Sequence, residues 1–272
     1  NRQVGSTFKP FIYATAIQLH GMSPCMQVPD LQRTIYPGDG NFGLIDAWSP
    51  RNADGKFRGR PYELRSALKN SVNSVSVFLM QQMGSVEPVI EVCTNMGIPK
   101  EKLPKQPSIC LGAADLTVYE MTGAYTAFAN NGTYSKPIFI TRIEDKNGVT
   151  IYSEEQFERQ ALEEEPNYVM TEMLKYAAGG MGLKSEVGGK TGTTNNYVDG
   201  WFMAITPSLV VGTWVGGEDR WIRFLSLAEG QGSKMAKPFT KEFLKRVESD
   251  ENADYDWKAR FPRPGGDLSI GL

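Results

Sequence analysis

The chain has 272 residues, of which 40% are apolar and 22% charged, and its 29 basic against 31 acidic residues give a net charge of −2. That length is ample for a buried core, as one large domain or two small ones, and the near-neutral balance offers no field to gather nucleic acid or anionic lipid. Three cysteines without a C-x-x-C pair argue against a disulfide framework or a zinc site. The longest apolar runs, such as SLVVGTWVGG, are too short to span a bilayer. Asn1 is not a natural start and no signal peptide is visible, so the expectation is a fragment of a longer chain.

The elements follow in order. The opening run NRQVGSTFKPFIYATAIQLHG predicts a helix from about Ser6 to Leu19, closed by Gly21. A long loop over 21–60, rich in Gly, Pro and Asp, comes next. Helical pieces are expected at 61–69, 74–83 and 86–96. A further helix is expected over 117–130. There Thr117 and Glu120 make a capping box, and Val118, Met121, Tyr125 and Phe128 recur at helical spacing. KPIFITRIEDKNGVTIYS reads as a hairpin turning at Asn147-Gly148. A polar segment, SEEQFERQALEEE, leads into a helix at 166–179. Three strands with short turns are expected at 186–194, 199–206 and 209–217. AKPFTKEFLKRVE ends the ordered part as a last helix, and the Pro- and Gly-rich tail after Asp250 is expected to be loosely held. Strands that cluster late, after a block of helices, favour an α+β fold over a parallel βαβ sheet.

Ser6 and Lys9 raise the question of chemistry. A nucleophilic serine needs a base, and the usual partner is histidine. The only histidine is His20. On one helix, fourteen residues at about 1.5 Å each would put it roughly 21 Å away, which rules out a Ser-His-Asp triad. Lys9 stands at i+3, on the same face as Ser6. A lysine in a dry cleft beside another cation loses pKa and can take the serine proton. The helix N-terminus adds free N–H groups that suit an oxyanion. S-x-x-K alone is a weak signal, since a capping serine beside a solvated lysine has the same spelling. Two further pieces add weight: Ser71-Val72-Asn73, at the break between two helical stretches, and Lys190-Thr191-Gly192-Thr193, on an expected strand. Ser-x-x-Lys, a Ser-x-Asn element and Lys-Thr-Gly together form the signature of serine β-lactamases and penicillin-binding proteins. Taken singly, Ser71 and Asn73 read as caps of the following helix, and Thr191 and Thr193 as ordinary β-formers. Trp48, Trp201, Trp214 and Tyr197 read as core or cleft wall, and Asp199 as a turn or hydrogen-bonding residue.

The resemblance runs well past the trio. RQVGSTFKPFIYATA, KNSVNSVSVFLMQQMG, LGAADLTVYEMTGAYTAFANNGTYSKPIFI, GGKTGTTNNYVDGWFMAITPSLVVGTWVGGED and the AKPF segment resemble the transpeptidase domain of class A penicillin-binding proteins, over most of residues 1–245. Val4 stands where that family often has Pro, and MAIT where it often has an aromatic after a Gly. The resemblance implies an antiparallel sheet flanked by a mainly helical subdomain. The domain would span 1–249, truncated on its N-terminal side, with 250–272 as a C-terminal tail. In that family two of five sheet strands precede the serine helix. Only three strands are therefore expected here, and the outer edge at 209–217 should be covered by a partner chain, a symmetry mate, the C-terminal tail or upstream residues.

The same resemblance implies the roles. Ser6 would attack the carbonyl of the penultimate D-Ala of a peptidoglycan stem peptide, and Lys9 would be the acylation base. Ser71 would relay a proton toward the leaving amine, between Lys9 and Lys190, and Asn73 would hold the substrate amide and help fix Lys9. Lys190 would keep the site cationic. Thr191 and Thr193 would bind the terminal carboxylate, and the N–H groups of Ser6 and Thr193 would form the oxyanion hole. Gly192 would leave room for a substrate lying antiparallel to the strand. No metal or other cofactor enters the scheme. β-Lactam antibiotics would acylate Ser6. The parent protein would be membrane-anchored on the extracytoplasmic, periplasmic face of the bacterial inner membrane, with a glycosyltransferase domain upstream. Two other readings share the acylation chemistry: a serine β-lactamase and a non-enzymatic β-lactam sensor. The E-x-x-L-N element that supplies a deacylating glutamate in one large β-lactamase group is absent between Asn73 and Lys190. The class A-like flanking segments argue against both.

Overall fold

The computed structural model describes residues 1–194 and 197–272, without the side chain of Leu227. In chain order, β1 (Arg2–Gln3) leads through a 3-10 turn (Gly5–Phe8) into α1 (Lys9–His20), and β2 (Gln27–Pro29) and β3 (Pro61–Glu63) bracket the long loop. Next come α2 (Leu64–Lys69), α3 (Asn73–Met83) and α4 (Glu87–Asn95), a 3-10 turn (Pro107–Leu111), β4 (Asp115–Leu116) and α5 (Val118–Ala129). After β5 (Thr133–Ser135), β6 (Arg142–Glu144), β7 (Thr150–Ser153) and β8 (Glu158–Gln160) stands α6 (Glu164–Ala178). The chain ends with β9 (Gly188–Thr193), β10 (Asp199–Ile205), β11 (Val210–Gly216), α7 (Leu227–Gly230), α8 (Gly232–Val247) and the tail. The fold is α+β.

The main sheet has the antiparallel order β11-β10-β9. Its central strand is buried on both faces, and its residues sort by parity. Trp201, Met203 and Ile205 face the helical core, while Phe202 and Ala204 pack with Ala236 and Leu244 of α8. This is the period-two alternation of a strand between two layers. α1 lies in the middle of the helical layer. Phe8, Phe11, Tyr125 and Phe128 pack their rings there at centroid separations of 5.1–5.6 Å. Thr117 and Glu120 make both bonds of the expected capping box.

Four expectations change. Ser6 sits not on the α-helix but on the 3-10 turn before it, and Pro10 stands in the first α-turn, where its missing N–H costs nothing. The loop over 21–60 is tied down by β2 pairing with β3 and by an Ile35–Trp48 bridge. The polar segment contains β8, which pairs with β5. The tail is anchored rather than loose. Tyr255 meets Ser185, the Phe261 N–H donates to Glu186, and Ser269 and Ile270 donate to Glu165. Phe261 and Ile270 are buried.

The three expected strands are present, and among the described residues no further strand joins them. β11 carries no strand on its outer edge among the described residues. The tail does not cover that edge, because its anchors lie at Ser185, Glu186 and the start of α6. The turn expected between 194 and 199 includes 195 and 196, which lie outside the described residues.

Candidate active site

The Ser6 turn is held from three sides by backbone approaches that admit no side chain. The Gly5 N–H donates to Gly112 O at 3.2 Å. A Cβ on Gly112 would lie 1.8 Å from Gly5 O, and Gly112 sits at φ 80°. Gly5 has φ 52°, and a Cβ there would lie 2.9 Å from Thr193 O. The Val4 N–H donates to Ala114 O, the Trp201 indole donates to Gln3 O, and the Tyr125 hydroxyl donates to Thr7 O. The Ser6 turn is thus bolted to the Pro107–Leu111 turn, to the sheet and to α5. The sequence reading gave Gly5 and Gly112 no role. The signal was a glycine directly before the serine and another in LGAAD.

The turn delivers Lys9 to the start of α1 with no solvent exposure. Its Nζ donates to Ser71 O at 2.6 Å and to Asn73 Oδ1 at 2.7 Å. Ser71 lies between α2 and α3 at φ 53°, an uncommon conformation for a residue with a Cβ. Lys190 on β9, only 2% exposed, donates to Ser71 Oγ and to Thr191 O. Ser71 is therefore the junction of the site: its carbonyl takes one lysine and its hydroxyl the other. The capping reading of Ser71 and Asn73 does not hold, since the α3 N-terminus has no cap of its own. No hydrogen bond joins Ser6 Oγ to Lys9 Nζ among the described residues. Such contacts often tighten only when substrate binds.

Charge decides what the two lysines can do. Burial, and then the charge of Lys190, hold the Lys9 pKa well below the ordinary lysine value, with Cys110 acting weakly the other way. Burial alone draws Lys190 down to about 7. A neutral lysine amine has two N–H donors and one lone pair. With both donors placed on Ser71 O and Asn73 Oδ1, a neutral Lys9 keeps its lone pair uncommitted by either acceptor.

The Lys-Thr-Gly-Thr run divides by parity. Lys190 and Gly192 pair with Met203 and Trp201, which face the helical core; Thr191 and Thr193 pair with Phe202 and Gly200, on the α8 side. Thr193 Oγ1 accepts from the Gly232 N–H at 3.1 Å, so its own proton remains to donate. The Thr193 carbonyl lies against Gly5, on the strand edge away from β10. In a strand a residue's N–H and C=O point the same way, so the Thr193 N–H opens to the same edge as the Ser6 turn. The structure adds a reason for Gly192 that the sequence did not show. A Cβ there would meet Val4 O at 2.8 Å and Thr7 Cγ2 at 2.9 Å, so the glycine makes room for the Ser6 turn. Asp199 accepts from Trp214 and Thr194 at the start of β10. Among the described residues no His/Cys/Asp/Glu group is placed to hold a metal ion.

Known proteins resemble this chain in sequence and fold. The penicillin-binding protein transpeptidase domain matches residues 1–89 and 90–245. Penicillin-binding protein 1A of Aquifex aeolicus (strain VF5) is 34% identical over 254 residues, covering 90% of this chain and 33% of that protein. The chain thus spans about a third of the length of the curated relatives it matches. Among solved structures, penicillin-binding protein 1A from Haemophilus influenzae superposes with a TM-score of 0.76 at 25% identity, over 93% of this chain and 43% of that one. PonA1 from Mycobacterium tuberculosis, in complex with penicillin V, shares the fold with a TM-score of 0.76 at 22% identity, over 99% of this chain and 73% of that one. From the family match and the Aquifex relative together, this chain belongs to the penicillin-binding protein transpeptidase domain family.

Proposed function

We propose that this domain, residues 1–249 with 250–272 as its tail, is a serine-type D,D-transpeptidase that cross-links peptidoglycan stem peptides through an acyl-enzyme on Ser6, and that β-lactams acylate the same atom. The observation that carries it is the junction at Ser71, where one buried lysine meets the carbonyl and the other the hydroxyl.

The steps follow from the donors and acceptors. Ser6 Oγ attacks the penultimate D-Ala carbonyl while its proton passes to the lone pair of Lys9. The N–H groups of Ser6 and Thr193 hold the oxyanion. The C–N bond breaks as the Ser71 hydroxyl gives its proton to the leaving D-Ala nitrogen, and the Lys9 proton replaces it. Asn73 holds the substrate amide and Lys9 together. Thr191, Thr193 and Lys190 bind the terminal carboxylate, with Gly192 letting the strand meet the Ser6 turn. The amine of a second stem peptide then attacks the ester and the protons return by the same route. In a β-lactam the broken C–N bond lies in a ring, so the leaving nitrogen stays attached. Among the described residues no helix is long and apolar enough to cross a membrane. By its resemblance to class A penicillin-binding proteins, this domain would work outside the cytoplasm, in a parent with an anchor and a glycosyltransferase domain.

Mass spectrometry tests the reading. Mixed with penicillin, the wild-type chain should gain the whole mass of the drug and keep it, and Ser6→Ala should gain none. Labelling of Ser6→Ala would remove Ser6 from its role, and rapid return to free mass would make the domain a β-lactamase.

A further inference from the structure

The long loop supplies what the start of α3 lacks. Asn52 Oδ1 accepts from the backbone N–H of Asn73 at 2.9 Å and of Ser74 at 3.2 Å. Asn52 Nδ2 donates to Asp30 Oδ1 at 2.8 Å and to Lys56 O at 2.9 Å. Asp30 is fully buried. It also accepts from the Ser74 hydroxyl at 2.6 Å and from the Arg58 N–H at 3.0 Å. Burial by itself would raise the Asp30 pKa, but these donors outweigh it and hold the carboxyl below its ordinary range. Beside this cluster, Asn73 Nδ2 donates to Arg51 O at 2.8 Å. An amide has one donating and one accepting end. With the donating end taken by Arg51, the end presented to Lys9 is Oδ1, which accepts from Nζ at 2.7 Å.

We infer that Asn52, anchored by Asp30, is a positioning residue for the Lys9 amine: it fixes the first turn of α3 and, with the Arg51 carbonyl, turns the Asn73 carbonyl toward Lys9. The inference rests on the reading above, in which neutral Lys9 is the base. The plain alternative is a helix cap that contributes stability alone, and pH separates the two. Among the described residues, the titratable groups that act on Lys9 are Lys190 on β9 and Cys110 on the Pro107–Leu111 turn, and Tyr13 lies one turn further along α1. The contacts from the α2–α3 side are the neutral acceptors Ser71 O and Asn73 Oδ1. An accepted hydrogen bond favours the ammonium form. Loss of Asn73 Oδ1 therefore lowers the Lys9 pKa further and moves the acid limb of acylation to lower pH. The misplaced amine also takes the serine proton less well, so the plateau rate falls. A cap that only stabilises the fold reduces the active fraction and leaves the limb where it was.

The experiment measures the rate of penicillin acylation against pH for wild type, Asn52→Ala and Asn52→Ser, with Tm recorded for each. The serine variant serves if the alanine one does not fold. The expected result is a plateau lower by about tenfold or more and an acid limb displaced downward by about half a pH unit, one tenfold step in rate being one pKa unit's worth of energy. A rate loss with an unmoved limb, or a rate within about threefold of wild type, overturns the inference. Failure of the wild type itself to be acylated would overturn the proposed function, and this inference with it.

Discussion

Lys190 shows how far burial alone can change what a side chain does. Out of water, its ammonium is less stable than its amine, and its pKa falls to about 7. At neutral pH that side chain is therefore poised between its charged and neutral forms. An arriving carboxylate favours the charged form and draws a proton in with it. Below about pH 7 the proton is already there; above it, binding must take one up, and affinity falls as pH rises. On the Ser6→Ala variant, non-covalent binding of penicillin followed by NMR titration should weaken between about pH 7 and 9, by up to roughly tenfold per pH unit. A flat profile over that range would separate Lys190 from the carboxylate. Lys9 is depressed by the same burial and by Lys190 as well, which suits it to the opposite task of holding a lone pair.

At the scale of elements, the site depends on two segments touching where neither can carry a side chain. Gly112 at φ 80° leaves no space between its Cα and the Gly5 carbonyl. Gly112→Ala adds a methyl group that must push the Ser6 turn aside, and it also strains the backbone. The acylation rate should fall by about 100-fold, because a shift of about 1 Å at a nucleophile has that scale of effect. A variant that is acylated within about threefold of the wild-type rate would show that the turn has room to give. This dependence was not legible in the sequence, because a glycine's reason is the atom opposite it. The Ser6, Lys9, Ser71, Asn73 and Lys190 motif was legible, since S-x-x-K, S-x-N and K-T-G keep their spelling wherever the chain carries them. The capping box at Thr117 and the three strands were legible too, through local pattern. Asn52 was hidden in a stretch that spells loop, SPRNADGKFRG, and Asp30 in another just after β2, where polar residues ordinarily face water. Only the long-range fold shows that these two do not.

At the scale of the molecule, the tail acts as a strap. It leaves α8, passes Ser185 and Glu186, and ends against Glu165 and Ser23. Burying an apolar side chain such as Phe261 or Ile270 is worth about 1.5–3 kcal/mol. Removing 251–272 should therefore cost on the order of 3 kcal/mol, roughly 6–10 °C in Tm, while penicillin acylation of the folded fraction is kept. A scanning-calorimetry trace unchanged by the deletion would mean that the strap carries no load. The expectation of a loose tail came from its composition, in which charged residues, Pro and Gly outnumber the two apolar anchors.

The junction at Ser71 has a consequence for the order in which the chain becomes itself. Lys190 and Ser71 stand 119 positions apart in sequence, and Trp201 reaches Gln3 across 198. Helices and hairpins close over short distances and form early, whereas contacts of this span wait until most loop entropy has been spent. Lys9 stands only three positions from Ser6, but its partners at Ser71 and Asn73 and the burial beside Lys190 that lowers its pKa are long-range and come late. On the proposed mechanism, a partly folded chain has Ser6 and Lys9 side by side with an ordinary, charged lysine, and the chemistry is silent until folding is done.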